Sequence, residues 1–224
     1  MLVSCVMPTY NRRKFLPRAI ECYLQQDWAE KELIVVDDGS DRVEDVFRDV
    51  PGCRYFFGVE ANLPAHRPKS TIGWKLNQAC ELAAGEVIVR WDDDDWNAPT
   101  RISDQMKRLI ESGKDLTGYH SMLFWHADKN EASKYQGALY YALGSSLCFR
   151  KSFWMEKRFQ DSSNGEDNAF VNEAKPDRLL CVDAEQLMVA SIHEDNTSRR
   201  NGHLLWPEVS RAMIPEAFWK AVQV

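Results

Sequence analysis

Residues 87–96 read "VIVRWDDDDW". Val87, Ile88 and Val89 are β-branched and apolar, the composition of a short strand buried on both faces. The run ends in four consecutive aspartates between Trp91 and Trp96. Adjacent carboxylates repel one another, so they need either free solvation or a nearby cation. Acidic runs alone are most often solvated loops. A strand leading directly into the run and a tryptophan on each side weigh toward a cation site.

The segments before and after follow an alternating pattern. "LVSCVMP" (2–8) reads as a buried strand closed by Pro8. Asn11 is placed to cap a helix in which Phe15, Ala19, Ile20, Tyr23 and Leu24 recur at helical spacing, with Pro17 in its first turn. "KELIVVDDGS" (31–40) is a second strand, and "CRYFFGV" (53–59) a third. "GWKLNQACELAAGE" (73–86) is helical, with Leu76, Ala79, Cys80 and Ala83 on one face and Gly85 as a stop. After the aspartates, Pro99 opens a helix with Ile102, Met106, Leu109 and Ile110 on its apolar side, stopped by Gly113. Strand and helix in alternation predict a mostly parallel α/β sheet with right-handed crossovers. The second half is less regular and predicts a mixed sheet.

The chain has 224 residues, 44% hydrophobic and 11% aromatic, enough for one substantial core. A net charge of −6 argues against general nucleic-acid binding, although Arg150, Lys151, Lys157 and Arg158 fall close together. The six cysteines form no C-x-x-C pair and read as reduced packing residues. No apolar run reaches the length of a membrane span, and Met1 leads straight into a strand without a signal-type core. The expectation is a soluble, cytoplasmic protein.

In open α/β sheets, ligands bind beyond the carboxyl ends of the strands. "PTYN" (8–11), "DDGS" (37–40) and "DDDD" (92–95) follow three expected strands, and parallel strands would place all three on one rim. Mg²⁺ or Mn²⁺ is commonly held by one or two carboxylates, with substrate phosphates completing the shell. Neither G-x-G-x-x-G nor G-x-x-x-x-G-K-[ST] occurs, so a nucleotide would be held through such a cation rather than a glycine-rich loop.

"VSCVMPTYNRRKFLPRAIECYLQQ", "ELIVVDDGSD", "LNQACELAAGEVIVRWDDDDW", and then "GSSLCFRKSFW" and "NGEDNAF", resemble in order and spacing a family 2 glycosyltransferase of the GT-A fold. The resemblance implies a Rossmann-like, mostly parallel central sheet flanked by helices. It also implies a nucleotide-sugar donor, usually a UDP-sugar, and a single displacement that inverts the anomeric centre. On that basis Pro8, Thr9, Tyr10 and Asn11 line the nucleoside pocket, and Asp38, with Asp37 beside it, reaches the base or ribose. Asp92, Asp93 and Asp94 become a D-x-D motif, with Asp94 the direct Mn²⁺ or Mg²⁺ ligand and Asp92 a second metal candidate nearer the ribose. Asp95 is a supporting group or a helix cap. Glu166 and Asp167 match the family's E-D pair, whose aspartate is the general base. "SIHEDNTSRRNGH" (191–203) offers His193 as a further metal ligand, with Asn196 or Arg199 at the diphosphate. Lys75 is either a diphosphate contact or an exposed helix lysine.

These residues divide one domain, 1–224, into a nucleotide-sugar half (1–112), an acceptor and catalytic half (113–205) and a C-terminal helical tail (206–224). The donor-side loop "ANLPAHRPKSTIGWKLN" (61–77) departs from the family pattern. The acceptor would be a saccharide, a lipid-linked saccharide or, through Arg150, Lys151, Lys157 and Arg158, modified DNA. A non-catalytic nucleotide-sugar binder is the alternative from another class. In the tail, Val209, Met213, Phe218, Trp219 and Val222 form an apolar set. Packing on the domain is its default role, a second subunit or a membrane surface the others.

Overall fold

The structure is a computed structural model of the chain and describes residues 1–58, 70–184, 186–197 and 206–222. The first half runs β1 (Val3–Thr9), α1 (Leu16–Leu24), β2 (Lys31–Asp37), the single turn α2 (Glu44–Phe47), β3 (Cys53–Phe57), α3 (Ile72–Leu82) and β4 (Val87–Arg90). The short β5 (Trp96–Asn97) and α4 (Arg101–Ser112) follow. The second half comprises β6 (Leu116–His126), β7 (Glu131–Gln136), β8 (Cys148–Arg150), α5 (Lys151–Glu156), α6 (Glu166–Glu173) and α7 (Lys175–Arg178). It ends with β9 (Leu179–Asp183), β10 (Met188–Ile192), β11 (Glu208–Val209) and α8 (Glu216–Val222).

All the described strands join one sheet, whose main order is β11-β7-β6-β8-β4-β1-β2-β3. β4, β1, β2 and β3 are mutually parallel. β8 is antiparallel to both β4 and β6, and so splices the regular half to the mixed half. β6 also pairs in parallel with β9 and β10 and antiparallel with β7.

The central strands are continuous apolar runs because both sheet faces are covered. Val3, Cys5 and Met7 point to one side with Leu33, Val35, Val87 and Val89, under α1 and α4. Val6 points to the other with Ile34, Val36 and Ile88, under α3 and α6. A third cluster around Tyr119, Met122, Phe124 and Met188 fills the mixed half.

Three local expectations are corrected. Asn11 does not cap α1, which begins after Phe15 without a side-chain cap. Asn11 instead takes a left-handed backbone (φ 53°), and its Oδ1 accepts from Ser40 Oγ and the Asp41 amide, tying the ends of β1 and β2 together. Gly85 does not stop α3, which ends at Leu82 with Ala83 as its cap. Glycine is needed there because a Cβ would stand 2.6 Å from Ser4 Oγ and 2.7 Å from the Leu2 carbonyl. Ile110 is about half exposed rather than part of the apolar side of α4. Gly113 does terminate α4, in the left-handed conformation expected of a C-cap glycine.

The tail packs on the domain. Phe218 of α8 is fully buried, with its ring edge-on to Trp96 and Trp125. Met213 stands outside this packing and is about two-fifths exposed. No helix among the described residues is long and apolar enough to cross a membrane.

Candidate active site

Because β1, β2 and β4 are parallel, their C-terminal ends share one rim, and a cavity of about 620 Å³ opens there. One wall is the aspartate run. The solvated-loop alternative does not hold, because Asp93, Asp94 and Asp95 are each less than a tenth exposed. Asp93 accepts a hydrogen bond from Thr9 Oγ1 at 2.7 Å. Burial, with the charge of Asp94 beside it, pushes its carboxyl up to about 7. Asp95 is raised too, by burial first and then by Asp94. Its Oδ1 accepts from the Ser191 amide at 3.0 Å, so it ties the rim to β10 and does not cap α4.

Asp94 behaves oppositely. Burial works upward on it, but the hydrogen bond from His193 and the Arg12 guanidinium outweigh burial and hold it below the usual carboxylate value. Its Oδ2 receives Arg12 Nη1 at 2.6 Å, His193 Nε2 at 3.1 Å and Asn196 Nδ2 at 3.2 Å. His193 stacks on Phe15 at 4.2 Å between ring centroids, and its Nδ1 accepts from the Asp195 amide at 3.2 Å. The neutral ring therefore presents Nε2–H to Asp94 in this arrangement.

On the β2 side, Lys75 is neither exposed nor directed at open space. It is 3% exposed, and its Nζ donates to Asp38 Oδ1 and to the Thr9 carbonyl, both at 2.8 Å. Asp38 also accepts from the Ser70 amide. Asp37 is corrected as a donor contact: it is fully buried and accepts from Tyr55 Oη at 2.6 Å and the Gly39 amide at 2.8 Å, holding the corner after β2.

The facing wall comes from the second half. Gly165, left-handed at φ 78°, precedes α6, whose first two residues are Glu166 and Asp167. Asp167 lines the cavity, and Gly144 stands so close that a Cβ there would lie 2.1 Å from its Oδ2. Glu166 is 4% exposed and pairs with Arg90 Nη1 at 3.2 Å. Burial raises the Glu166 carboxyl, an effect that Arg90 opposes. Arg90 Nε is 2.8 Å from Asp92 Oδ1, so Asp92 is turned toward Arg90 rather than gathered with Asp94 and His193.

Pro8, Thr9, Tyr10, Asn11, Lys75, Asp92, Asp93, Asp94, Glu166, Asp167 and Asn196 thus meet around one cavity. Arg199 lies outside the described residues. Sequence reasoning missed Arg12, Arg90 and Gly144. Arg90 had left a signal, since a lone charge inside an apolar strand demands a buried partner.

Among the described residues, no group of three or more His, Cys, Asp or Glu is gathered as a ready metal cage. The donors that do meet, Asp94 and His193 with the crowded carboxylate of Asp93 alongside, fit the partial shell of a hard cation completed by phosphate oxygens and water. His193 would have to change tautomer to ligate through Nε2.

A model of the family described as glycosyl transferase family 2 matches residues 4–158. The chain belongs to that family. It is 27% identical over 121 residues to a GalNAc(5)-diNAcBac-PP-undecaprenol beta-1,3-glucosyltransferase of Campylobacter jejuni, covering 52% of this chain and 37% of that one. Staphylococcus aureus TarS, solved in complex with UDP-GlcNAc, superposes with a TM-score of 0.71 at 18% identity, over 88% of this chain and 60% of that one. A mannosyltransferase of Pyrobaculum calidifontis, solved with GDP-Man and Mn²⁺, gives 0.65 at 14% identity, over 87% and 58%. The fold is therefore the GT-A fold expected from the sequence. The chain spans 36–38% of the length of the first curated relatives it matches.

Proposed function

We propose that the chain is a metal-dependent inverting glycosyltransferase that moves a sugar from a nucleotide-sugar, a UDP-sugar, to an acceptor hydroxyl by single displacement. The observation that carries this reading is the meeting of the β1 rim residues Thr9 and Tyr10 and the carboxylates after β4 with Asp167 of α6 across one cavity. The solved relatives bind UDP-GlcNAc in one case and GDP-Man with Mn²⁺ in the other, which supports a nucleotide-sugar at this rim.

In this reading Asp167 accepts the proton of the acceptor hydroxyl as it attacks the anomeric carbon, making a poor nucleophile competent. Asp94 and His193 would hold Mn²⁺ or Mg²⁺, with Asp93 beside them and Asp92 turned to Arg90. When bound, that ion neutralises charge on the departing nucleoside diphosphate. Lys75 fixes the Asp38 carboxylate, and Thr9 with Tyr10 forms the nucleoside side of the cavity.

A saccharide acceptor, free or lipid-linked, fits better than DNA. The basic residues considered for DNA are already engaged: Lys157 with Glu173, Arg158 with Glu81, Arg150 with the Lys114 carbonyl and Lys151 with the Ala83 carbonyl. The name of the Campylobacter relative includes an undecaprenol-linked saccharide.

The test is calorimetric titration of UDP, UDP-glucose, UDP-GlcNAc and GDP-mannose, with Mn²⁺ and with EDTA, into wild type and Asp94→Ala. Cation-dependent binding of a UDP-sugar, lost in the variant, is expected. Binding by none of them under either condition overturns the proposal. Binding without any donor hydrolysis or transfer leaves a nucleotide-sugar binding protein instead.

A further inference from the structure

We infer that Arg90 is a positioning residue that sets the proton-accepting carboxylate of Asp167 relative to the donor-side aspartates, acting through Glu166. The inference rests on the function proposed above for its chemistry, and on the side-chain geometry alone for its mechanics.

Arg90 is the last residue of β4, and its guanidinium is almost wholly buried. A buried cation needs partners that satisfy both its charge and its donors. Here Nε meets Asp92 at 2.8 Å and Nη1 meets Glu166 at 3.2 Å, so one planar fork joins the donor-side wall to the opposite wall. Glu166 is the first residue of α6 and Asp167 the second. Fixing the Glu166 side chain therefore fixes the start of the helix that aims Asp167.

A second tether runs through the backbone of the same residue. The Arg90 carbonyl accepts from Arg101 Nη2 at 3.0 Å, and the same nitrogen reaches the Ser145 carbonyl at 3.1 Å. Ser145 sits in the turn whose Gly144 abuts Asp167. Asp167 is thus registered against β4 from both sides.

Arginine is needed because its fork spans two carboxylates, whereas a lysine offers one nitrogen on a flexible stem. A lysine at this position keeps the neighbouring Asp92, two residues on, and releases Glu166. The consequence is a selective one: donor binding persists while the base loses its alignment.

The experiment uses the full chain with Arg90→Lys, Glu166→Gln and the double variant. It reads UDP release from UDP-glucose and UDP-GlcNAc, together with amide hydrogen exchange in the absence of substrate. For Arg90→Lys, kcat is expected to fall about 100-fold, as small misplacements of reacting groups do, while donor KM changes by less than about threefold. The double variant is expected to be no slower than Arg90→Lys, and exchange is expected to rise across residues 166–173 but not across α1. If Arg90→Lys does not fold, Glu166→Gln carries the same test, with kcat lowered and donor KM retained. A wild-type kcat in either single variant, losses that multiply in the double variant, or unchanged exchange across 166–173 overturns the inference. Absence of UDP release by wild type overturns the catalytic part of the proposed function alone, and the exchange arm then decides the positioning role by itself.

Discussion

Gly144 and Asp167 face each other so closely that a Cβ on Gly144 would lie 2.1 Å from the Asp167 carboxylate oxygen. Gly144 begins a 3-10 turn and has no left-handed backbone angle, so its backbone accepts alanine without strain. The nearest atoms that the added methyl meets all belong to Asp167: Oδ2, Cβ and Cγ. Gly144→Ala should therefore lower kcat by roughly 100-fold while leaving donor affinity, measured by calorimetry, at the wild-type value. Retained turnover would mean that the position of Asp167 does not matter to the reaction.

The pH dependence of stability carries a signature of Asp93. Its folded value of about 7 stands above its ordinary 3.8, so between those limits the folded protein keeps a proton that the unfolded chain has lost. Stability therefore falls as pH rises through that window and levels off above it. Asp94 has the opposite sign: its contribution is present above the ordinary carboxylate value and is lost as pH falls through its lowered folded value. Asp93→Asn keeps an acceptor for Thr9 and removes the first effect. In EDTA at pH 8 the variant should be more stable than wild type by on the order of 4 kcal/mol, with the difference vanishing near pH 4. Urea denaturation at both pH values checks this, and curves that stay parallel would contradict it.

Phe218 is fully buried between Trp96 and Trp125, and its neighbour Trp219 packs on Trp125 at 4.8 Å between ring centroids. Phe218→Ala removes a large aromatic from a site with rigid neighbours. A loss of about 3–5 kcal/mol is expected, read from chemical denaturation. A loss below about 1 kcal/mol would show that α8 is not part of the core.

The rim was legible because its cause is local. Val3–Met7, Leu33–Val36 and Val87–Val89 are apolar runs that form strands buried on both faces, and each leads into polar residues. Parallel pairing then puts those polar ends together whatever the intervening helices do. Other features depend on partners far away in sequence. Lys75 reads equally as a diphosphate contact or a surface lysine, and its counter-ion is Asp38, 37 residues earlier. Arg12 reaches Asp94 across 82 residues, and nothing near Arg12 announces that pairing. Asp37 and Asp38 are indistinguishable by type, yet the pleat turns one into the corner with Tyr55 and the other toward Lys75. The mixed half was unreadable in detail because β6 takes partners of both directions along its length, which no single hydrophobic period encodes.

The splice through β8 has a mechanical consequence. Backbone hydrogen bonds run from β4 through β8 into β6, so the strands under both halves belong to one continuous ladder, while Gly144 and Asp167 of the facing wall are carried above it by a turn and by α6. Parting the two halves of this sheet would break that ladder. Any widening of the cavity therefore falls to the rim segments and side chains above the sheet.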